Sequence, residues 1–194
     1  MLRLSIESIM ADNEAPESDM KGHLRFLRAL IVAKKAQVVV ELGTRFGQST
    51  VALLCGVAET GGHVYSCDID GCVEARRRVA AYKLADYWTF TEADSICWGK
   101  VWWPSGTFLF APIDVLFVDT SHRLEQTRGE IAAFAPKVKS GGFMLFHDTE
   151  STTKEWRDGV NFAIGEFLDA HPTGYTYYNL KHCFGLGVME VLWE

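Results

Sequence analysis

The chain has 194 residues, enough for one domain with an arm, and 48% of them are apolar, so it can bury a core and is not a disordered segment. A formal net charge of −6 argues against nucleic acid as the main partner, because binding phosphates takes a basic face. The five cysteines, Cys55, Cys67, Cys72, Cys97 and Cys183, are odd in number and form no CxxC, and neither a leader pattern nor a membrane-length apolar run occurs, so a soluble cytoplasmic protein with no membrane partner is expected.

Residues 1–20 read as a loose acidic arm. Residues 21–35 read as a helix with Leu24, Leu27, Leu30 and Ile31 on one face. Its other face carries Lys21, Arg25, Arg28, Lys34 and Lys35, which fits a solvated charged face better than a binding surface. Residues 1–36 are therefore expected to be an N-terminal arm and lid helix, and residues 37–194 one ligand-binding domain.

From residue 38 strands and helices alternate. A strand at 38–42 leads to a helix at about 47–59, and Gly61-Gly62 turns the chain into a strand at 63–68. A helix at about 73–84 and a short strand around 88–91 follow. A strand at 113–118 precedes a helix with Leu124, Thr127, Ile131 and Phe134 at helical spacing. Ser140-Gly141-Gly142 introduces a strand at 143–147. The next helix carries Trp156, Val160, Ile164, Phe167 and Leu168 on one face and stops at Pro172. Strands at 175–180 and 185–193 read as a closing hairpin.

Continuous apolar strands alternating with helices mean an α/β, doubly wound, mostly parallel seven-stranded sheet, with helices on both faces and a C-terminal antiparallel hairpin. The stretch 97–112 interrupts the rhythm with Trp98, Trp102, Trp103, Phe108 and Phe110. It is long for a connection, and either packs over the sheet edge or walls a substrate pocket. It is also the candidate surface for a homodimer.

In such a sheet, ligands bind at the carboxyl ends of the strands. Acids stand there one after another: Glu41, Asp68, Asp94, Asp119 and Asp148. Gly43 allows backbone to approach a ligand, and Gly47 opens a helix whose free N–H groups suit a polar or anionic group. Glu41, just before that turn, repels a pyrophosphate and attracts a cation, which points to a sulfonium ligand such as S-adenosylmethionine. Asp68, 25 residues after Gly43, suits the two hydroxyls of a ribose, with Asp70 as a nearby competitor. Asp94 and Ser95 lie where an adenine edge would fall. Gly43 and Gly47 are four apart with Arg45 between them, which does not match the GxGxxG of a nicotinamide site.

A second constellation is Asp119-Thr120-Ser121-His122 with His147-Asp148 after the next strand. Adjacent parallel strands set Asp119 and Asp148 side by side, where they repel unless a cation or proton lies between them. Hard oxygen donors suit magnesium, manganese or calcium, and His122 is positioned to act as a general base. The two acids acting as helix caps, with His122 on the surface, is an equally weighted alternative on these residues alone.

The motifs Glu41-Leu42-Gly43-Thr44-Arg45-Phe46-Gly47-Gln48-Ser49, Asp119-Thr120-Ser121-His122 and Ser140-Gly141-Gly142-Phe143-Met144-Leu145-Phe146-His147-Asp148 resemble those of class I, Rossmann-like S-adenosylmethionine-dependent methyltransferases, over residues 38 to the C-terminus. The nearest subgroup is the metal-dependent small-molecule O-methyltransferases: the catechol and caffeoyl-coenzyme A types, the macrolide-sugar enzymes and the cephalosporin hydroxylase-like proteins. The resemblance implies methyl transfer to a hydroxyl oxygen of a small molecule. It implies a cofactor site of Glu41, Gly43, Thr44, Arg45, Phe46, Gly47, Ser49, Asp68, Asp94, Ser95 and Asp119. It also implies a divalent metal, magnesium or manganese, on Asp119, His147 and Asp148, with Asp119 and His122 catalytic and His122 as base. One departure stands out. The residue before Asp148 is usually acidic in the sugar enzymes and is His147 here, which favours a softer ion such as manganese or iron, or weaker binding. The competing expectations are an inactive cofactor-binding or scaffolding protein of the same fold and, less favoured, a nicotinamide-dependent oxidoreductase.

Overall fold

In the computed structural model, which describes residues 5–15, 17–102 and 112–192, the strand β1 (Val38–Leu42) shows how the sheet comes to have two cores. Side chains alternate along a strand. Val39 therefore packs among residues of α2 (Leu24–Lys34) and α3 (Gln48–Thr60), while Val40 and Leu42 face the opposite core. That second core is filled from α5 (Ser95–Trp102), α6 (Leu124–Phe134) and α7 (Lys154–Ala170). The central strand β4 (Ile113–Val118) is buried along its whole length, with Val115 and Phe117 on one face and Leu116 and Val118 on the other.

The remaining strands are β2 (His63–Asp68), β3 (Trp88–Glu92), β5 (Val138–His147), β6 (Tyr175–Leu180) and β7 (Leu186–Val191). The sheet order is β3-β2-β1-β4-β5-β7-β6. Neighbours run parallel from β3 to β5, and β7 is antiparallel to both β5 and β6. The helix α4 (Val73–Ala81) joins β2 to β3. The expected doubly wound sheet with its terminal hairpin is what forms. No described helix is long and apolar enough to cross a membrane.

Three expectations change. Within the stretch expected to be a loose arm, residues 5–15 are ordered instead: α1 (Ile6–Glu14) is capped by Ser5, whose Oγ accepts from the Ser8 N–H. Its Ile9 and Met10 join the core on the α2–α3 face, and buried Asn13 donates to the Gln48 carbonyl at 2.9 Å. The acids of this region answer the basic face of α2: Glu14 pairs with Arg25, and Glu7 with Arg28, which also meets Glu59. The strand expected at 143–147 begins at Val138 instead. In the Trp-rich stretch, residues 95–102 form α5, and Trp98 packs against Phe134 with ring centres 5.9 Å apart. Residues 103–111, and with them Trp103, Phe108 and Phe110, lie outside the described residues.

A Met10→Ala substitution tests the integration of α1. Emptying a core position costs about 2–5 kcal/mol, whereas a change on a loose arm stays within about 0.5 kcal/mol. Urea denaturation of the two proteins reads the difference.

Candidate active site

The loop after β1 is built by close contact. Gly43 has φ +89°, and a Cβ there would lie 2.0 Å from the carbonyl oxygen of Asp119. Its N–H donates to the Cys67 carbonyl, and the Asp119 N–H donates to the Leu42 carbonyl, both at 2.8 Å. The carboxyl ends of β1, β2 and β4 are thus pinned together at one point. Gly47 has φ +80° and caps α3, with Ala75 of α4 packed against it.

Asp68 holds this loop from the side. Its Oδ2 accepts from the N–H groups of Thr44 (2.7 Å) and Arg45 (3.0 Å), and its Oδ1 accepts from the Asp70 N–H (3.0 Å). Burial raises its pKa, but these donors outweigh that and hold it below the usual carboxylate range. The Cys72 thiol adds a fourth hydrogen bond to this carboxylate, which also borders the larger cavity described below.

Glu41 departs from expectation. It lines neither of the two cavities over the strand ends and is fully buried beneath the loop. Its carboxyl group accepts from the hydroxyls of Ser66 (2.6 Å), Ser49 (2.8 Å) and Thr50 (2.8 Å). It ties β1, β2 and the first turn of α3 together. Burial pushes its pKa up to about 7, against the pull of the three hydroxyls.

Two adjoining cavities open over the strand ends. The larger, about 560 Å³, runs from Gly43 and Asp68 past Ile69 and Val73 to Asp94, Ser95 and Asp119. The smaller, about 200 Å³, lies between residues 44–49 and residues 17–20 of the N-terminal segment. Arg45, Phe46 and Asp119 border both. Asp94 lines the larger cavity, as expected of an adenine-edge residue, while its Oδ1 also accepts from the Cys97 N–H at 2.8 Å, capping α5. Ser95 Oγ donates to Glu130 Oε1 at 2.5 Å.

Beside the cavities stands a quartet of side chains. His122 Nε2 lies 3.0 Å from Asp119 Oδ1 and 3.0 Å from Asp148 Oδ2. His147 Nδ1 lies 3.3 Å from Asp119 Oδ1 and 3.1 Å from Asp148 Oδ2. The register explains the meeting. Val118 pairs with Phe146, so the residues that follow, Asp119 and His147, end adjacent strands side by side. Neither acid caps a helix. Burial opposes every charge here, yet opposite charges prevail: both carboxyls are held well below their usual range and both imidazoles well above.

The backbone is strained at this spot. His122 and Asp148 have φ of 58° and 65°, left-handed values that non-glycine residues adopt at a cost of about 1 kcal/mol or more. Gly159 of α7 presses on the first of them, since a Cβ there would lie 2.4 Å from the His122 carbonyl oxygen. The donor set, two carboxylates and two imidazoles with donor atoms all within 4.8 Å of one another, fits a divalent cation.

Several contributors carried no sequence signal. Buried Glu130 accepts from Ser95, Thr120 (3.0 Å) and Gln126 (3.1 Å), which joins the ends of β3 and β4 to α6. The Cys183 carbonyl accepts from His147 Nε2 at 3.3 Å and from His23 Nε2 at 3.2 Å. Trp156, expected on the core face of its helix, is 42% exposed and lies against His122 with ring centres 5.2 Å apart. Amphipathic spacing located the helix but not the edge of its apolar stripe.

A family model described as a methyltransferase domain matches residues 40–149, more than half of the chain, and the chain belongs to this methyltransferase-domain family. Solved structures share the fold. An O-methyltransferase from Bacillus cereus, in complex with S-adenosylhomocysteine, is 19% identical, with 96% of this chain and 90% of that one covered and a TM-score of 0.71. The O-methyltransferase TomG from Streptomyces achromogenes, in complex with S-adenosylmethionine, is 16% identical, with 95% and 90% covered and a TM-score of 0.74. A Podospora anserina methyltransferase bound to S-adenosylhomocysteine is 12% identical, with 96% and 87% covered and a TM-score of 0.67. No curated protein sequence matches the chain.

The buried Glu41 makes stability depend on pH. Its folded pKa of about 7 lies above the ordinary 4.5, so the folded state binds the proton more tightly. That contribution is complete below the ordinary value and is lost as pH rises through about 7. Glu41→Gln removes the titration, so its stability relative to the parent is expected to rise by about 1–3 kcal/mol between about pH 5 and pH 8. An offset independent of pH in paired denaturation curves would show that Glu41 does not titrate in this window.

Proposed function

We propose that the protein transfers a methyl group from S-adenosylmethionine to a hydroxyl oxygen of a small molecule, with Asp119, His147 and Asp148 holding a divalent ion and His122 taking the proton. The observation that carries this reading is the position of Asp119, which borders both cavities and also belongs to the quartet. A methyl donor in the cavities would thus lie next to the charged cluster.

The residues present fit both groups. Gly43 and Asp68 both line the larger cavity, where the Asp68 carboxylate can accept from a ribose hydroxyl. The exposed Ile69 and Val73 offer apolar surface to a flat base. Bound S-adenosylmethionine supplies an electrophilic methyl group whose bonding electron pair stays with sulfur on transfer. A divalent ion on the two carboxylates supplies a Lewis acid that lowers the pKa of a hydroxyl.

The chain's own task is placement and proton removal. Holding the acceptor oxygen in line with the methyl carbon supplies a large part of the acceleration. His122 Nε2, at 3.0 Å from both carboxylates, receives the hydroxyl proton as the oxygen–carbon bond forms. Those carboxylates hold it protonated when they face it alone. With a divalent ion on Asp119 and Asp148 their charge would be shared, and His122 would then be free to act as a base. Trp156, against the His122 ring, offers an apolar wall to the acceptor. The unpaired cysteines accord with a cytoplasmic setting.

Calorimetric titration with S-adenosylhomocysteine is expected to give one saturable site per chain, weakened about 10-fold or more by Asp68→Ala, since a hydrogen bond to a charged group is worth about 1.5–3 kcal/mol. Asp119→Ala is expected to keep that binding within a few-fold and to lose methylation across a panel of catechols, sugars and polyols. Undiminished methylation by this variant would sink the metal and proton roles, and absence of cofactor binding in the parent would sink the reading as a whole.

A further inference from the structure

His147 is held in a way that its role as a countercharge does not require. The ring is 1% exposed and cannot turn toward solvent. Nε2 donates to the Cys183 carbonyl at 3.3 Å, which fixes the tautomer and leaves Nδ1 facing Asp119 and Asp148. A ring nitrogen tied to a carbonyl while the other faces an acidic pair is the arrangement that orients metal-bound histidines.

The carbonyl is itself built into place. Cys183, Phe184 and Gly185 have successive left-handed φ values of 46°, 63° and 85°. His23, fully buried at the start of α2, donates to the same oxygen, and His182 lies against the His23 ring with centres 4.5 Å apart. A Cβ on Gly22 would lie 2.4 Å from Cys183 Sγ, so the N-terminal segment is pressed onto this turn.

We propose that the Asp119–His147–Asp148 centre is selective for a divalent transition ion, of the manganese-to-zinc row, over magnesium, and that the Cys183 carbonyl and His23 are the positioning groups that make it so. The proposal rests on the metal-assisted reading above and gives the ion its class. Magnesium asks for near-ideal octahedral oxygen coordination and gives up its waters reluctantly. An imidazole donor binds manganese most weakly among the ions of the row, and its affinity rises through iron, cobalt and nickel to copper before falling at zinc. The separations fit as well. Donors bound at about 2.1 Å stand about 3.0–3.4 Å apart in octahedral or tetrahedral coordination, and Nδ1 stands 3.1 and 3.3 Å from its two carboxylate neighbours.

The full chain, stripped with a chelator, is titrated with cobalt(II) while its visible d–d absorption is followed, and is then challenged with magnesium. One cobalt per chain, retained against a large magnesium excess, is the expected result. In His147→Asp the cobalt-to-magnesium affinity ratio is expected to fall by at least about 10-fold, the scale on which changes around a metal ligand act. Displacement of cobalt by a comparable magnesium concentration in the parent protein overturns the selectivity and leaves metal-assisted transfer standing. Failure to bind either ion overturns both. An unchanged ratio in a folded His147→Asp protein overturns the part assigned to His147.

Discussion

Two carboxylates at the ends of adjacent parallel strands repel each other, and much of the molecule is arranged around that repulsion. The pairing of Val118 with Phe146 brings Asp119 and Asp148 together. Nothing in a parallel sheet neutralises them, so the charge has to come from side chains or from a bound cation. His122 and His147 supply it from the two strand ends themselves. To do so, His122 and Asp148 take up left-handed backbone, and α7 closes on the His122 turn through Gly159. Strain of this kind persists only where packing leaves no alternative.

The second constraint is the approach of the β1 loop to Asp119. Gly43 touches the Asp119 carbonyl, so the acid that belongs to the charged cluster is also part of the floor of the ligand cavities. Glu41 acts from below, where three hydroxyls from α3 and β2 converge on its carboxyl group. A carboxyl group left buried without those donors would be costly, and with them it links the first turn of α3 to the strands. The loop therefore rests on one acid from the side, Asp68, and another from beneath. Both shape the site, but only Asp68 lines the larger cavity.

These two acids also mark the limit of what the sequence made legible. The strands could be read because β-branched runs ended at acids, and the order of strands and helices then led to the fold. The quartet could be read because strand ends in such a fold meet in space. The direction of Glu41 could not, since its partners come from Ser49, Thr50 and Ser66, on two other elements. Glu130 sits inside an ordinary amphipathic helix, where one glutamate looks like any solvated one. The Cys183 contribution is a backbone carbonyl and has no residue type to betray it. The helix α1 was missed because its apolar residues, Ile6, Ile9 and Met10, are few among acids. Those acids find their reason only in tertiary structure, where Glu7 and Glu14 meet the arginines of α2.

The N-terminal region consequently serves both halves of the site. Its residues 17–20 wall the smaller cavity, with Asp19 3.4 Å from Arg45, and its His23 shares the carbonyl that orients His147. The first contact is exposed and weakly held, as ion pairs in water are. The second is fully buried, and burial with two neighbouring imidazoles pushes the His23 pKa down to about 4, so this ring is a neutral donor at physiological pH. A neutral His23 adds no positive charge beside His147, and the cluster's charge balance stays a matter for its own four members. The same segment thus borders the cavity through an exposed ion pair and is tied behind the charged cluster through a buried ring.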